Sequence, residues 1–446
     1  MLNEPASTVS DRRPRPSVDE TSLAAAPRDE RLEAVRVAVM QVMAISAERK
    51  PGELTPEEAS GGSIMLMIRE PKLLMRFEGK LLIDSETAYD QIDAQFMPLN
   101  LTTVFREVQD IQHIYVIQGR SEPAPRNWYW NAALFIATLF SVLYVGAIMR
   151  INEIGFEMPL AGLVLSASFN NNPLAELWRG IPYAGAILLI LGAHEFGHYF
   201  AARRRQIAVT LPYFLPFPFG AFGTFGAFIQ LRQPMRNRKV LLEVGAAGPL
   251  AGMIFAIPIL LYGLATSPTT PIGPGLVEGN SLLYAVAKRL VFGEWLPGAQ
   301  IDVLVNQLAW AGWTGLFVTG LNLLPIGQLD GGHVLYSLIG ERAKVLYFPA
   351  IAGLVALTLL TDGGLMFMLI LLIFFGRTHA VPLDNITPLD PRRRAIAIFT
   401  LVVFLLVFVP IPLSVRGSEA MLFGSVPSAL SAATAVAIVA IQRLRR

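Results

Sequence analysis

The chain has 446 residues, 53% of them hydrophobic and only 16% charged, with a mean hydropathy of +0.49. A water-soluble domain exposes more charge than this, so the composition points to lipid. The formal net charge of +2, carried in short clusters, excludes a nucleic-acid footprint. Zero cysteines exclude disulfides and thiolate metal ligands, which leaves imidazole and carboxylate as the strong ligands for any metal.

Residues 1–27 are polar and rich in Pro, Ser and Arg. Asp11, Asp19 and Glu20 argue against a transit peptide, so this stretch reads as a disordered tail. From Arg28 to Arg49, Leu32, Val35, Val39, Val42 and Met43 recur at helical spacing, which predicts an amphipathic helix of about six turns closed by Pro51. Between Ser63 and Gly119 the period shortens. "SIMLMI", "KLLMRFEGKLLI", "TTVFREV" and "HIYVIQG" read as strands around one helix, "SETAYDQIDAQFM", with Ser85 as its cap. Residues 28–120 are therefore expected to form a helix plus a small α+β domain on the cytoplasmic side.

After "EPAPRN" long apolar runs follow, and residues 128–446 read as a transmembrane domain. Spans are expected near 128–148, 181–202, 241–265, 303–325, 345–361, 364–376, 395–414 and 422–441, each judged against ~30 Å of hydrocarbon. The fold class is thus a polytopic α-helical membrane protein of about eight helices. Arg203, Arg204, Arg205, Arg232, Arg236, Arg238 and Lys239 fall in one interspan loop and Arg377, Arg392, Arg393 and Arg394 in another. The bias of basic residues toward the cytoplasm places both loops, and both termini, on that side. Between the basic groups, "IAVTLPYFLPFPFGAFGTFGAFIQLR" (207–232) is apolar but too rich in Pro and Gly to span as a helix. It reads as short strands or a re-entrant hairpin.

Two of the five histidines occur in "HEFGH" (194–198), inside an apolar run. His194 and His198, one helical turn apart, can share a metal, and Glu195 sits beside the first. Ionisable groups inside a membrane segment default to function. A catalytic zinc usually takes three protein ligands and a water, so a third donor is required. Asp330 in "NLLPIGQLDGG" (322–332) is the best placed, because the topology brings it to the same membrane boundary. Gly331 and Gly332 would let the backbone break helix and aim the carboxylate. "GAAGPLAG" puts Gly245, Gly248 and Gly252 at a spacing suited to close helix approach.

HEFGH, GAAGPLAG and NLLPIGQLDGG, in this order on separate spans, resemble the site-2 protease family of intramembrane zinc metalloproteases. The likeness covers a core of about 181–340, and the flanking parts look similar to the branch found in bacteria, cyanobacteria and chloroplasts. The resemblance implies one Zn²⁺ held by His194, His198 and Asp330, Glu195 as catalytic acid/base, and none of these four positions departs from the pattern. It implies hydrolysis of a peptide bond in or near a transmembrane segment of a client protein, in a bacterial plasma membrane. Asn322 reads equally as a substrate contact or a helix bridge. Thr224, Phe225, Gly226 and Ala227 read equally as a strand edge that pairs with substrate or an interfacial anchor. His333 reads as a ligand-orienting group or an ordinary helix-end residue. Two other function classes stand beside this one: a metal transporter using the same ligands for a translocated ion, and a non-catalytic membrane scaffold whose α+β domain recruits partners. The sequence names neither client nor oligomeric state.

Overall fold

A computed structural model describes residues 28–51, 72–121, 123, 127–273, 275–360, 366–375 and 381–416. The expected tail, the "SIMLMI" strand, Arg377 and the span at 422–441 lie outside the described residues.

Helix α1 (Arg28–Met40) ends sooner than its periodicity suggests, and Met43–Arg49 is a strand, β1. The segment "VRVAVMQVMAIS" alternates as well as it spirals, and antiparallel pairing of β1 with β2 (Lys72–Leu81) decides the outcome. Helix α2 (Ser85–Phe96) follows, then β3 (Leu101–Val108) and β4 (Ile111–Gln118), in an antiparallel sheet ordered β1-β2-β4-β3. The N-cap of α2 is Asp84, not Ser85: its carboxylate accepts from the Thr87 N–H at 3.0 Å. Ser85 is buried one position inside and its hydroxyl meets that of Thr387. Both helices cover one sheet face, where Val39, Phe77, Ile92, Phe96 and Phe105 form the core. Val104, Tyr115 and Ile117 bury the other face with Leu383.

The membrane part runs α3 (Tyr129–Glu157), α4 (Pro159–Asn171), α5 (Ile181–Arg204), a hairpin of β5 (Tyr213–Pro216) and β6 (Thr224–Phe228), and α6 (Arg238–Ala265). It continues through β7 (Thr269–Pro271), β8 (Gly275–Glu278), α7 (Leu282–Phe292), β9 (Ile301–Val303) and α8 (Gln307–Asn322). Then come α9 (Asp330–Ile339), α10 (Tyr347–Leu360), α11 (Met366–Phe375), α12 (Pro391–Val407) and β10 (Leu413–Arg416). Among the described residues, four segments are long and apolar enough to span: Tyr129–Glu157, Pro173–Arg204, Arg238–Ala265 and Asp330–Leu359. The expected 303–325 span is a helix of 16 residues, about 24 Å long. It lies inside the bundle, with Trp313 and Leu316 fully buried, so it need not match the bilayer. Outward-facing apolar side chains such as Ile254 and Leu405 are exposed, as a lipid-facing surface requires.

The hairpin expected at 207–232 is present. The Asn131 amide donates to the Leu211 carbonyl at 2.7 Å, and Phe135 packs edge-on against Phe214, which holds the β5 side to α3. At the tip, the Tyr183 hydroxyl donates to the Phe222 carbonyl and the Trp310 indole N–H to that of Ala221. These bonds pin the turn to the amino-terminal ends of α5 and α8.

A strap at 381–387 joins the sheet to the core. The Phe105 N–H donates to the Leu383 carbonyl at 2.9 Å, while the Leu383 and Asp384 N–H groups donate to the carbonyls of Met235 and Arg236. Glu86 of α2 pairs with Lys239 in the first turn of α6, and Asp90 with Arg236.

Candidate metal centre

Helix α5 presents His194, Glu195 and His198 to the interior, all buried. The Nε2 atoms of His194 and His198 are 3.1 Å apart, and each lies 3.2 Å from Asp330 Oδ2. The triangle of donor atoms has edges close to the ~3.3 Å of a tetrahedron built on ~2.0 Å bonds. Among the described residues this is the one group of three or more His, Cys, Asp or Glu side chains that could hold a metal.

The tautomer of His198 supports the same reading. Its Nδ1 lies 2.7 Å from the Val244 carbonyl, which can only accept, so Nδ1 carries a proton and in the neutral ring Nε2 is the nitrogen left with a lone pair. An imidazole fixed in this way is the usual arrangement behind a metal-binding nitrogen. A lone pair from the neutral His198 and a carboxylate oxygen of Asp330 would then converge on one point, an arrangement a divalent cation would stabilise.

Close approach of α6 makes the arrangement possible. A Cβ on Gly248 would stand 2.0 Å from His198 Nε2, one on Gly245 2.9 Å from the His333 Cβ, and one on Gly252 3.3 Å from the His194 Cβ. The glycine spacing therefore serves packing against the histidine face. Gly331 and Gly332 do different work from that expected. Both lie inside α9, and a Cβ on either would strike the carbonyl oxygens of Leu323 or Gly327. The chain reversal falls earlier, at Gly327, whose φ is +61°. Asp330 is delivered as the first residue of α9, packed tightly on the turn that precedes it.

A cavity of about 220 Å³ adjoins the three donors, lined among others by Glu195, Ile229, Gly245, Asn322, Gln328 and His333. Asn322, the last residue of α8, has its amide nitrogen 3.2 Å from His194 Nε2. The Ile229 backbone N–H faces the Glu195 carboxylate. Of the expected substrate residues, Thr224, Phe225 and Gly226 lie on β6 but do not line the cavity. The Thr224 hydroxyl donates to the Leu215 carbonyl, and Phe225 stacks on Phe217 with centroids 4.0 Å apart. Ala227, Phe228 and Ile229, farther along the same strand edge, do line it. Sequence reasoning missed Phe228, Ile229 and the Val244 carbonyl, because backbone groups leave no mark in side-chain chemistry.

Known proteins similar to the chain carry metalloprotease names. Residues 182–370 match the model of peptidase family M50. The chain is 33% identical over 362 residues to the probable zinc metalloprotease EGY2, chloroplastic, of Arabidopsis thaliana, covering 78% of this chain and 62% of that protein. It is 30% identical over 309 residues to the probable zinc metalloprotease EGY1, chloroplastic, of Oryza sativa subsp. japonica, covering 66% of this chain and 52% of the relative. The chain thus spans between half and two thirds of the length of these curated relatives. No solved structure matches it. With the three buried donors and the glycine-faced helix behind them, the membrane core at residues 182–370 is similar to peptidase family M50, the site-2 protease family.

Proposed function

We propose that the protein is an intramembrane zinc metalloprotease that hydrolyses a peptide bond in or near a transmembrane segment of a client membrane protein. The observation that carries this reading is the convergence of His194, His198 and Asp330 beside Glu195 and a small cavity. The relatives' names speak of zinc, and two imidazoles with one carboxylate are a donor set that suits it. Zinc held there would supply Lewis acidity to the peptide carbonyl and acidify an attacking water.

The remaining steps belong to the chain. Glu195 takes the proton from water as its oxygen bonds to the carbonyl carbon, and returns it to the nitrogen as the C–N bond breaks. His198, fixed by the Val244 carbonyl, keeps its ring aimed at the metal position. The Asn322 amide, placed beside His194 Nε2, donates to the oxygen on which negative charge develops. β5 is held to α3, which leaves the other edge of β6, with Ala227 to Ile229 at the cavity, for an extended client segment to join as a strand.

We further propose the finer topology: about eight spans, with residues 28–120 and both termini cytoplasmic in a bacterial plasma membrane. The clustering of Arg203 to Arg205, Arg236 and Lys239 at one end of α5 and α6 supports this orientation. A single donor cluster among the described residues, at one membrane edge, supports proteolysis over metal transport, which needs sites through the membrane. The test pairs wild type with Glu195→Gln in proteoliposomes holding candidate single-span clients. Cleavage should vanish in the variant while about one zinc per chain is retained, and near-normal cleavage by Glu195→Gln would refute the mechanism.

A further inference from the structure

A second cavity, of about 390 Å³, opens where the amino-terminal α+β layer meets the core. One wall carries Tyr89, Thr102 and Arg120, the other Arg204, Gln206 and Arg236. The size lies in the range of small-molecule sites. The lining holds four arginines, Arg120, Arg204, Arg205 and Arg236, against two carboxylates, Glu86 and Asp93.

The charges are not all spent within the protein. Asp93 is engaged by Arg120 at 2.8 Å, and Glu86 by Lys239. Arg205 pairs with Glu243 and Arg236 with Asp90. Arg204 makes no ion pair among the described residues, and the buried Nε–H of Arg236 has no acceptor among them. An oxyanion in the cavity would give the exposed Arg204 guanidinium the partner it lacks among the described residues. At the rim Gln206 holds a left-handed φ of +58°, an expensive conformation for a residue with a Cβ. Guanidinium groups around a partly apolar cleft, with Ile207 and Val240 in its walls, suit a phosphate attached to an organic body.

We propose that this seam binds a phosphate-bearing organic anion, with Arg204 and Arg236 as its phosphate contacts. Two sources supply that chemistry: a soluble mononucleotide, or the headgroup of an anionic phospholipid at the membrane surface. The position gives such a ligand a regulatory role. Arg204 is the last residue of α5, six residues beyond His198, so a bound anion ties the α+β layer to the helix that carries the metal donors.

The test uses the delipidated full chain in detergent, titrated calorimetrically with ADP in one arm and with short-chain phosphatidylglycerol below its micellar concentration in the other. Saturable binding in one arm identifies the source. Arg204→Glu should weaken it by about tenfold or more, the loss of one charged hydrogen-bonding partner. Arg204→Gln should weaken it less, and both variants should keep wild-type zinc content as the check on folding. No saturable binding in either arm, or binding unchanged by Arg204→Glu, overturns the proposal. Asp330→Ala should bind the anion normally, so the outcome is independent of whether the metal centre works as a protease.

Discussion

Gly248 lies so close to the His198 imidazole that a Cβ there would stand 2.0 Å from Nε2, the atom aimed at Asp330. Any side chain must push the ring away from the metal position or force α5 and α6 apart. Gly248→Ala is therefore expected to weaken zinc binding by about 10–100-fold, the usual cost of disturbing the groups that orient a ligand. Gly252→Ala, whose Cβ would be 3.3 Å from the His194 Cβ, should cost much less. Zinc per chain by elemental analysis under a competing chelator checks both. Full retention by Gly248→Ala would show that the helices have room to spare.

The donor triad was legible because its chemistry is out of place. Two histidines at i and i+4 and an aspartate near a span end are costly in lipid surroundings unless they serve one another. The glycines of "GAAGPLAG" were legible as a packing face, though not which atoms they admit. Other features were not legible, for separate physical reasons. The stretch 35–46 fits two periods at once, so its split into α1 and β1 depends on a partner strand, with Met43 set opposite Leu81 far along the chain. Asp84 and Ser85 are both good caps, and only the burial of Ser85 against Thr387 separates them. The seam between the α+β layer and the core rests on contacts such as Glu86 with Lys239, 153 positions apart, which no local pattern announces.

Asp330→Ala and Asn322→Ala should separate binding from chemistry. Asp330 supplies the third donor, so its loss should strip most of the zinc. Once His194 Nε2 binds metal it cannot also accept from the Asn322 amide, which is then free for the developing oxyanion. Asn322→Ala should keep its zinc and lose about 10²–10³ in turnover, the typical cost of one such donor. Elemental analysis with client cleavage reads both, and parallel loss of zinc and turnover in Asn322→Ala would make it a structural bridge instead.

Docking of the α+β layer should weaken in acid. The Lys239 ammonium holds the Glu86 carboxyl below its ordinary range, and the Arg393 guanidinium holds Asp390, the N-cap of α12 just beyond the strap, down to about 2. A carboxyl depressed in the folded state contributes stability that is present above its unfolded pKa, near ~4, and lost as pH falls through the folded value. Burial pushes Asp384 the other way, so its protonation in acid partly offsets the loss. Hydrogen-exchange protection factors in α2 and the strap, taken relative to the intrinsic rate at each pH, should be flat above pH ~5 and fall below pH ~4. Glu86→Gln should remove part of that fall, and an unchanged profile would mean the Glu86–Lys239 pair does not hold the layer.

Lys288 is fully buried, with Nζ 3.0 Å from Glu278 Oε1, 3.5 Å from Asp302 Oδ1 and 4.4 Å from the centroid of the Tyr284 ring. The Tyr284 hydroxyl donates to the same Glu278 oxygen at 2.9 Å, and burial beside that carboxylate raises the phenol well above its ordinary pKa, so it stays a donor. The cluster fastens α7 to β8 and β9, and β8 in turn pairs with β10 beyond α12. Removing the cation alone leaves two carboxylates facing each other out of water, which costs about 3–5 kcal/mol in comparable buried pairs. Lys288→Ala should therefore lower the thermal midpoint sharply. Lys288→Met combined with Glu278→Gln and Asp302→Asn should recover much of it, because the desolvated charges leave together. The donors at His194, His198 and Asp330 lie elsewhere in the bundle, so the triple variant should bind zinc normally. A triple variant no more stable than Lys288→Ala would show that the cation's packing over Tyr284, rather than its charge, holds this end of the fold.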